Sequence, residues 1–341
     1  MQFFKKISNN SIKCLACRHY CTIPLGSFGF CGTRKNEGNN LILLTHSRPA
    51  SLHLDPIEKK PLYHYFPGSK TLSMGFFGCN FKCDFCQNFD ITFKRRVAVE
   101  KEASLIDEVS PKKFVQIAIE QKANSISFTY NEPSINIEYN VEAIIEAKKQ
   151  TPSLGVIYVS NGFESAEQIK LLTSKKTKLD AINIDLKSFN ENFYKKICGA
   201  DLEGVIDSIK KFHSAVVLVE LTTLLIPEKN DSIDEIKQIA KFISSVDKNI
   251  PWHVSAFYPM HRFSHLPPTS IESIRTAIKI GFDEGLNFVY GGNIFNSEFE
   301  NTYCPSCGNT LIKREGFGVE ITGMNKNSCS RCGEKIIGVF Q

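Results

Sequence analysis

Eleven of the twelve cysteines fall in three clusters. The first is Cys14, Cys17, Cys21 and Cys31, the second Cys79, Cys83 and Cys86, and the third Cys304, Cys307, Cys329 and Cys332; Cys198 stands apart. Gaps of two and three residues suit metal ligation, because tight turns can aim neighbouring sulfurs at one centre. A secreted disulfide framework is usually a shorter chain led by a signal peptide, and Met1 to Asn10 is too polar for one. The cysteine usage therefore reads as a reducing, cytoplasmic compartment and two or three thiolate metal sites.

The clusters differ in chemistry. Cys304-x2-Cys307 and Cys329-x2-Cys332, with 21 residues between them, have the spacing of a zinc ribbon. Gly308 and Gly333 allow the knuckle turns. Zinc is preferred there over iron, in a module that would need its metal to fold. Such a module is either a docking surface or a stapled tail over one end of the fold. The central cluster, C-x3-C-x2-C, has only three thiolates, whereas structural zinc wants four protein ligands. A cubane iron–sulfur cluster has four irons, each needing an external ligand, so three thiolates leave one iron open to a substrate or cofactor. The first cluster is irregular. Its four thiolates read as a zinc site or a second iron–sulfur cluster, with zinc preferred; His19 is a spare ligand or a surface histidine. Cys198 reads as a buried apolar residue.

These residues must be positioned by the long alternating stretch from 71 to about 295. Apolar, β-rich runs occur at 71–76, 125–130, 155–160, 180–186, 215–221, 252–257 and 286–290. Helical periodicity lies between them, as in Phe114, Ile117 and Ala118, and again in Ile233, Ile236, Ile239, Ala240 and Ile243. Pro111 opens one helix, and Ser232 and Thr269 are candidate N-caps. Strands alternating with helices call for parallel strands and right-handed crossovers. The expected fold is α/β, a partial (β/α)6 TIM-like barrel over 71–296, with chemistry at the C-terminal strand ends. A Cys-rich segment, 1–70, with a strand at 41–46, precedes it, and the ribbon-like module, 297–341, follows. The chain has 341 residues, 42% hydrophobic and 23% charged, with a net charge of +5. That suits a soluble enzyme and is too mild to argue for nucleic acid. No apolar run reaches the roughly 18 residues of a membrane span.

The loop from Gly78 to Asn88, with Phe85 just before the third cysteine and a barrel strand before it, resembles the radical S-adenosylmethionine (SAM) superfamily. The resemblance implies a [4Fe-4S] cluster on Cys79, Cys83 and Cys86, with Phe85 packed by it. It also implies SAM held on the open iron and cleaved by one electron to methionine and a 5′-deoxyadenosyl radical, which abstracts hydrogen. Thr129-Tyr130-Asn131-Glu132-Pro133 resembles the family's Gly-Gly-Glu methionine-amine site with both glycines replaced. Glu132, beside Asn131, is left as a carboxylate for an ammonium, or as a first-turn residue that complements a helix dipole. Ser160-Asn161-Gly162 offers polar groups to a ribose. Asp185-Leu186-Lys187 matches the Asp-Leu-Lys of the pyruvate formate-lyase activating enzymes. Period two puts Asp185 and Lys187 on one face, facing a methionine zwitterion or only each other. His253 stands where that group has a cofactor-contacting histidine; otherwise it is a satisfied core residue.

Longer runs narrow the resemblance: Asp55-Pro56-Ile57-Glu58-Lys59-Lys60-Pro61-Leu62-Tyr63-His64, Glu220-Leu221-Thr222-Thr223-Leu224-Leu225-Ile226-Pro227 and Pro251-Trp252-His253-Val254-Ser255. Together they resemble the AmmeMemoRadiSam system radical SAM enzyme, a branch of the activating-enzyme group. Ala256 departs from the arginine of many members. The resemblance implies Memo-like and AMMECR-like partners and an electron donor such as flavodoxin or ferredoxin. The basic run Lys94-Arg95-Arg96 is a landing place for such an acidic donor or a solvated face. Nothing in the sequence places Lys59 and Lys60 at the site. A different class of function is a zinc-binding adaptor whose barrel is inert. An RNA-modifying enzyme is disfavoured by the modest charge.

Overall fold

The computed structural model describes residues 2–7, 10–93, 96–294 and 297–340. Three antiparallel strands, β1 (Phe4–Ile7), β2 (Ser11–Cys14) and β3 (Thr22–Pro24), precede a hairpin of β4 (Arg34–Glu37) and β5 (Asn40–Leu43). One large sheet follows. Its strands are β6 (Ser51–Pro56), β7 (Lys70–Gly75), β8 (Ser125–Phe128), β9 (Gly155–Ser160), β10 (Ala181–Asp185), β11 (Leu218–Leu225), β12 (Trp252–Ala256) and β13 (Val289–Gly292), in sequential order. β6 runs antiparallel to β7; every pair from β7 to β13 is parallel. Helices between successive strands cover the sheet, so β8 and β12 are buried along their whole length.

The helices begin where short polar side chains can accept an orphan N–H. Ser110, Ser165, Asp201, Ser232 and Ser270 each do so. Pro111 takes the first helical position as expected. Thr269 is not a cap. Its hydroxyl donates to Leu225 O and accepts from Phe257 N, fastening strand ends, and Ser270 caps the helix instead. Two strands start later than their apolar runs. Val216 takes a left-handed φ of 57° to leave the preceding helix, and Leu286 N still closes onto Gly281 O.

The end of the N-terminal segment is woven into the sheet. β6 is its edge strand, and residues 57–65, buried except for exposed Lys59 and half-buried Pro61, pass beneath the parallel strands as a floor. Asn183 Nδ2 donates to Pro61 O at 2.7 Å, while the Glu220 carboxylate accepts from Tyr63 N at 3.0 Å and His64 N at 2.7 Å. The C-terminal module holds β14 (Thr302–Tyr303), β15 (Thr310–Glu315) and β16 (Gly318–Ile321), then the hairpin β17 (Met324–Asn325) and β18 (Ser328–Cys329). It shares an apolar cluster with Tyr63, Phe288 and Tyr290, and Arg314, buried, donates to Tyr63 O. Among the described residues no helix is long and apolar enough to cross a membrane.

Candidate active site

A cavity of about 560 Å³ opens at the C-terminal ends of the parallel strands. It is lined from β9 (Val159), β10 (Asp185), β11 (Thr222, Leu224), β12 (Ser255) and the loops after β7, β8, β9, β10 and β13. One cavity can touch so many neighbouring strands only if the sheet curls round it. Side chains alternate along a strand, so Asn183, Glu220 and His253 share the inward faces of β10, β11 and β12 with cavity-lining Asp185, Thr222 and Ser255, two residues further along each strand.

Cys79, Cys83 and Cys86 all line this cavity. Their loop is fixed from outside: Lys82 N donates to Cys198 O at 2.7 Å, and Arg262 N donates to Asp84 O at 3.0 Å. Gly78 opens the loop at φ +85°, where a Cβ would stand 2.5 Å from Thr33 Cγ2 and 2.7 Å from Cys31 O. Burial pushes the Cys79 and Cys86 thiols up; for Cys83 a hydrogen bond with Cys198 comes first, then burial. Cys198 is thus buried as expected, but it is also a thiol partner of the central loop. Phe81 N donates to Cys79 Sγ at 3.3 Å, and Asn161 Nδ2 lies 3.8 Å from it. Three thiols on one wall, with N–H donors aimed at sulfur, fit a cluster bound through three irons. Phe85 also lines the cavity, wedged near Phe193 and Phe263.

The turn after β8 answers the question of the missing glycines. Tyr130 takes φ +71°, a left-handed conformation that glycine adopts freely and other residues adopt at a cost of about 1–3 kcal/mol. The strain is held by contacts: Tyr130 OH donates to Asp55 Oδ2 at 2.7 Å, and Tyr130 O accepts from Asn88 Nδ2. Asn131 lines the cavity and ties the turn to Phe76 O and Gly78 O.

Glu132 and Ser160 lie behind the wall. The Glu132 carboxylate accepts from Ser134 N and Asn161 N, both at 2.8 Å, and faces Ser160 Oγ at 3.1 Å. Ser160 Oγ is also 2.5 Å from Glu164 Oε1. One hydroxyl proton cannot serve two carboxylates, so one of them carries a proton of its own. Burial, then Glu164, pushes Glu132 up to about 8. Glu132 therefore orients Asn161, which does line the cavity, and does not present a free carboxylate to an ammonium.

Asp185 and Lys187 also line the cavity, 2.8 Å apart. Burial works against the Lys187 charge, but the Asp185 carboxylate beside it outweighs burial and raises its pKa well above the ordinary value. The Lys187 ammonium also stands 5.6 Å from the Phe85 ring centre. His253 is a correction. It shares the inward face of β12 two residues before cavity-lining Ser255, but it does not itself line the cavity. Its Nε2 is 2.7 Å from Glu220 Oε2, and its ring stacks on Tyr290. Burial acts to raise the Glu220 pKa, yet the hydrogen bond with His253 outweighs it. Thus His253 belongs to the floor.

Lys59 and Lys60 do reach the cavity. Lys60 is buried 2.6 Å from Asp55 Oδ2, with its ammonium 4.7 Å from the Tyr130 ring centre. Phe317, from the turn after β15, reaches the same rim. Sequence reading missed Thr222, Ser255 and Phe317 because nothing in their local pattern separates them from ordinary strand and turn residues. Of the basic run, Lys94 and Arg95 lie outside the described residues, as does the Arg96 side chain.

The sulfurs of Cys304, Cys307, Cys329 and Cys332 all lie within 4.8 Å of one another. Cys304 to Cys332 is 3.5 Å and Cys307 to Cys329 is 3.7 Å, close to the roughly 3.8 Å of four thiolates on one tetrahedral ion. Cys14, Cys17 and Cys31 are buried and Cys21 is partly so, all in and beside the β2–β3 hairpin. His19 turns its Nε2 to Asn80 O at 2.7 Å.

A sequence model of the Radical SAM superfamily matches residues 75–243. An uncharacterised protein of Methanocaldococcus jannaschii is 36% identical over 337 residues, 98% of this chain and 97% of that one. The chain belongs to the radical SAM superfamily. The pyruvate formate-lyase-activating enzyme of Clostridium pasteurianum is a more distant relative, 24% identical over 53% of this chain and 71% of that one. Streptococcus suis SuiB bound to S-adenosylmethionine shares the fold, with TM-score 0.51 and 14% identity over 70% of this chain and 53% of that one. For a radical SAM protein the three cysteines in the matched span take on a definite meaning. The superfamily implies a [4Fe-4S] cluster and SAM, and the cavity with three thiols and a cation–carboxylate pair has the donors for both.

Proposed function

We propose that this protein reductively cleaves SAM at a [4Fe-4S] cluster on Cys79, Cys83 and Cys86, for hydrogen abstraction from a substrate bound in the same cavity. The single observation carrying this is that three thiols, Asn131, Asn161 and the Asp185–Lys187 pair line one cavity at the strand ends. When bound, the cluster supplies the electron and SAM supplies the radical. The chain's own part is binding and shielding. Lys187 offers a cation to the methionine carboxylate and Asp185 an anion to its ammonium, a role for which Glu132 has no free oxygen. Phe85 and Phe81 keep water from the thiol wall, while Asn161, held by Asn80 Oδ1 at 2.7 Å, gives a fixed polar edge. Lys59 and Phe317 at the rim would meet the substrate. The four C-terminal sulfurs are read as a zinc site that holds Phe317 and Arg314 in place.

The long runs from Asp55 to His64 and from Glu220 to Pro227 support placing the chain in the AmmeMemoRadiSam branch. The first is the cavity floor, and Glu220 in the second is the residue that holds it. Memo-like and AMMECR-like proteins, and an acidic flavodoxin or ferredoxin as donor, are the partners this reading proposes, in a cytoplasmic setting. The test is anaerobic reconstitution with iron and sulfide, reduction, addition of SAM and chromatographic measurement of 5′-deoxyadenosine. Production by the wild type and none by Cys83→Ala is expected. A verified cluster that never yields 5′-deoxyadenosine, with or without the reduced donor protein, would sink the reading.

A further inference from the structure

We propose that Cys14, Cys17, Cys21 and Cys31 hold a second iron–sulfur cluster, packed directly against the first, and not a single zinc ion. The sequence spacing alone preferred zinc.

Geometry reverses that preference. Cys14 N donates to Cys21 O at 2.9 Å across the β2–β3 hairpin, and the loop before β4 carries Cys31 in beside them. The four thiols are near enough to act on one another electrostatically, and none is in a disulfide. Yet among the described residues only the C-terminal four bring their sulfurs within 4.8 Å of one another. Four ligands of one ion must crowd together, as those four do. A cubane puts one thiolate on each of four irons, so its ligands stand farther apart while still enclosing one site. No three of the N-terminal sulfurs are drawn in as tightly as the C-terminal four.

The surroundings favour an anionic group richer in sulfur than the thiolates alone. Phe30 N points at Cys21 Sγ and Thr33 Oγ1 at Cys31 Sγ, each at 3.4 Å. Hydrogen bonds to sulfur are a principal means of tuning such clusters. Arg34 is fully buried beside Cys14 and Cys31. One edge of its guanidinium is spent on Glu138 and Ile135 O, at 2.8 Å each, but its Nε–H is buried without a partner. An unsatisfied buried donor is unfavourable, and an inorganic sulfide or thiolate would satisfy it.

The site also touches the radical site, where the Cys31 carbonyl and the Thr33 side chain close on Gly78. A Cβ at Gly78 would overlap Cys31 O and Thr33, and the next residue is the cluster ligand Cys79.

The inference rests on the N-terminal hairpins and not on SAM cleavage, so the two can fail separately. Full-length protein is reconstituted anaerobically with iron and sulfide in the presence of one equivalent of zinc, and metal and acid-labile sulfide are counted. The wild type is expected to bind about eight irons, and Cys17→Ser/Cys21→Ser about four, a twofold fall. The reciprocal Cys79→Ser/Cys83→Ser/Cys86→Ser chain should keep about four irons and their acid-labile sulfide. About four irons in the wild type, with zinc or free thiols at the N-terminal site, overturns the proposal even if a variant fails to fold. Formation of 5′-deoxyadenosine, scored on the same samples, reports separately on the central site.

Discussion

Replacing Lys187 with methionine should weaken SAM binding about tenfold to a hundredfold. The Lys187 side chain is 12% exposed, so solvent screens its charge little, whereas Asp185 is 36% exposed and can be rehydrated. A hydrogen bond to a charged group is worth about 1.5–3 kcal/mol net, and each 1.4 kcal/mol is tenfold in affinity. The stability cost should stay near 1 kcal/mol, because the abandoned carboxylate keeps water and methionine refills the apolar space over Phe85. Equilibrium binding of SAM to the anaerobically reconstituted variant, with iron content and circular dichroism matched to the wild type, is the assay. The match matters because Lys187 also acts on Cys83. An affinity within twofold of the wild type, at equal iron, would refute the placement of the SAM carboxylate at Lys187.

Three further outcomes follow from the floor and the C-terminal module. Burial above all pulls His64 down to about 4, so the unfolded chain binds the extra proton between about 6.5 and 4. Stability should fall as pH drops through that window, by up to about 3 kcal/mol, and His64→Gln should flatten the slope of melting temperature against pH. Glu220→Ala strands Tyr63 N, His64 N and His253 in the interior and should cost about 3–5 kcal/mol. A thermal melt shifted by the equivalent of less than 1 kcal/mol would contradict the floor described for it. Stripping the ion from Cys304, Cys307, Cys329 and Cys332 with a chelator should raise hydrogen exchange across 302–329 while β7 to β13 stay protected. Uniform exchange across both would show that the module is not metal-dependent.

The parallel sheet was legible because each strand is an apolar run and each helix an amphipathic one, and those signals are local. Strand starts slipped at 215–217 and 286–288 because helix exits are decided by single residues, such as Val216 in its left-handed turn. Glu132 was legible as a special carboxylate but not as a hidden one, since Glu164, Ser160 and Asn161 converge on it only after β8 and β9 pair. His253 shows the same limit: alternation gives the face of a strand, and its depth depends on where the cavity floor lies. The floor is made by residues 57–65, which are remote in sequence from β12.

By itself the sequence determined which atoms can do chemistry here: three thiols on one loop, four in each terminal cluster, and Asp185 and Lys187 two residues apart at a strand end. Those facts depend on spacing along the chain, and spacing survives unfolding. Only the tertiary structure decided which polar groups face the cavity and which are spent elsewhere. It brought in Lys59, Lys60 and Phe317, withdrew Glu132 and His253, and laid Cys31 against Gly78. Such choices depend on curvature, layer depth and the hydrogen-bonding needs of buried groups, and none of these exists until the sheet has closed around its contents.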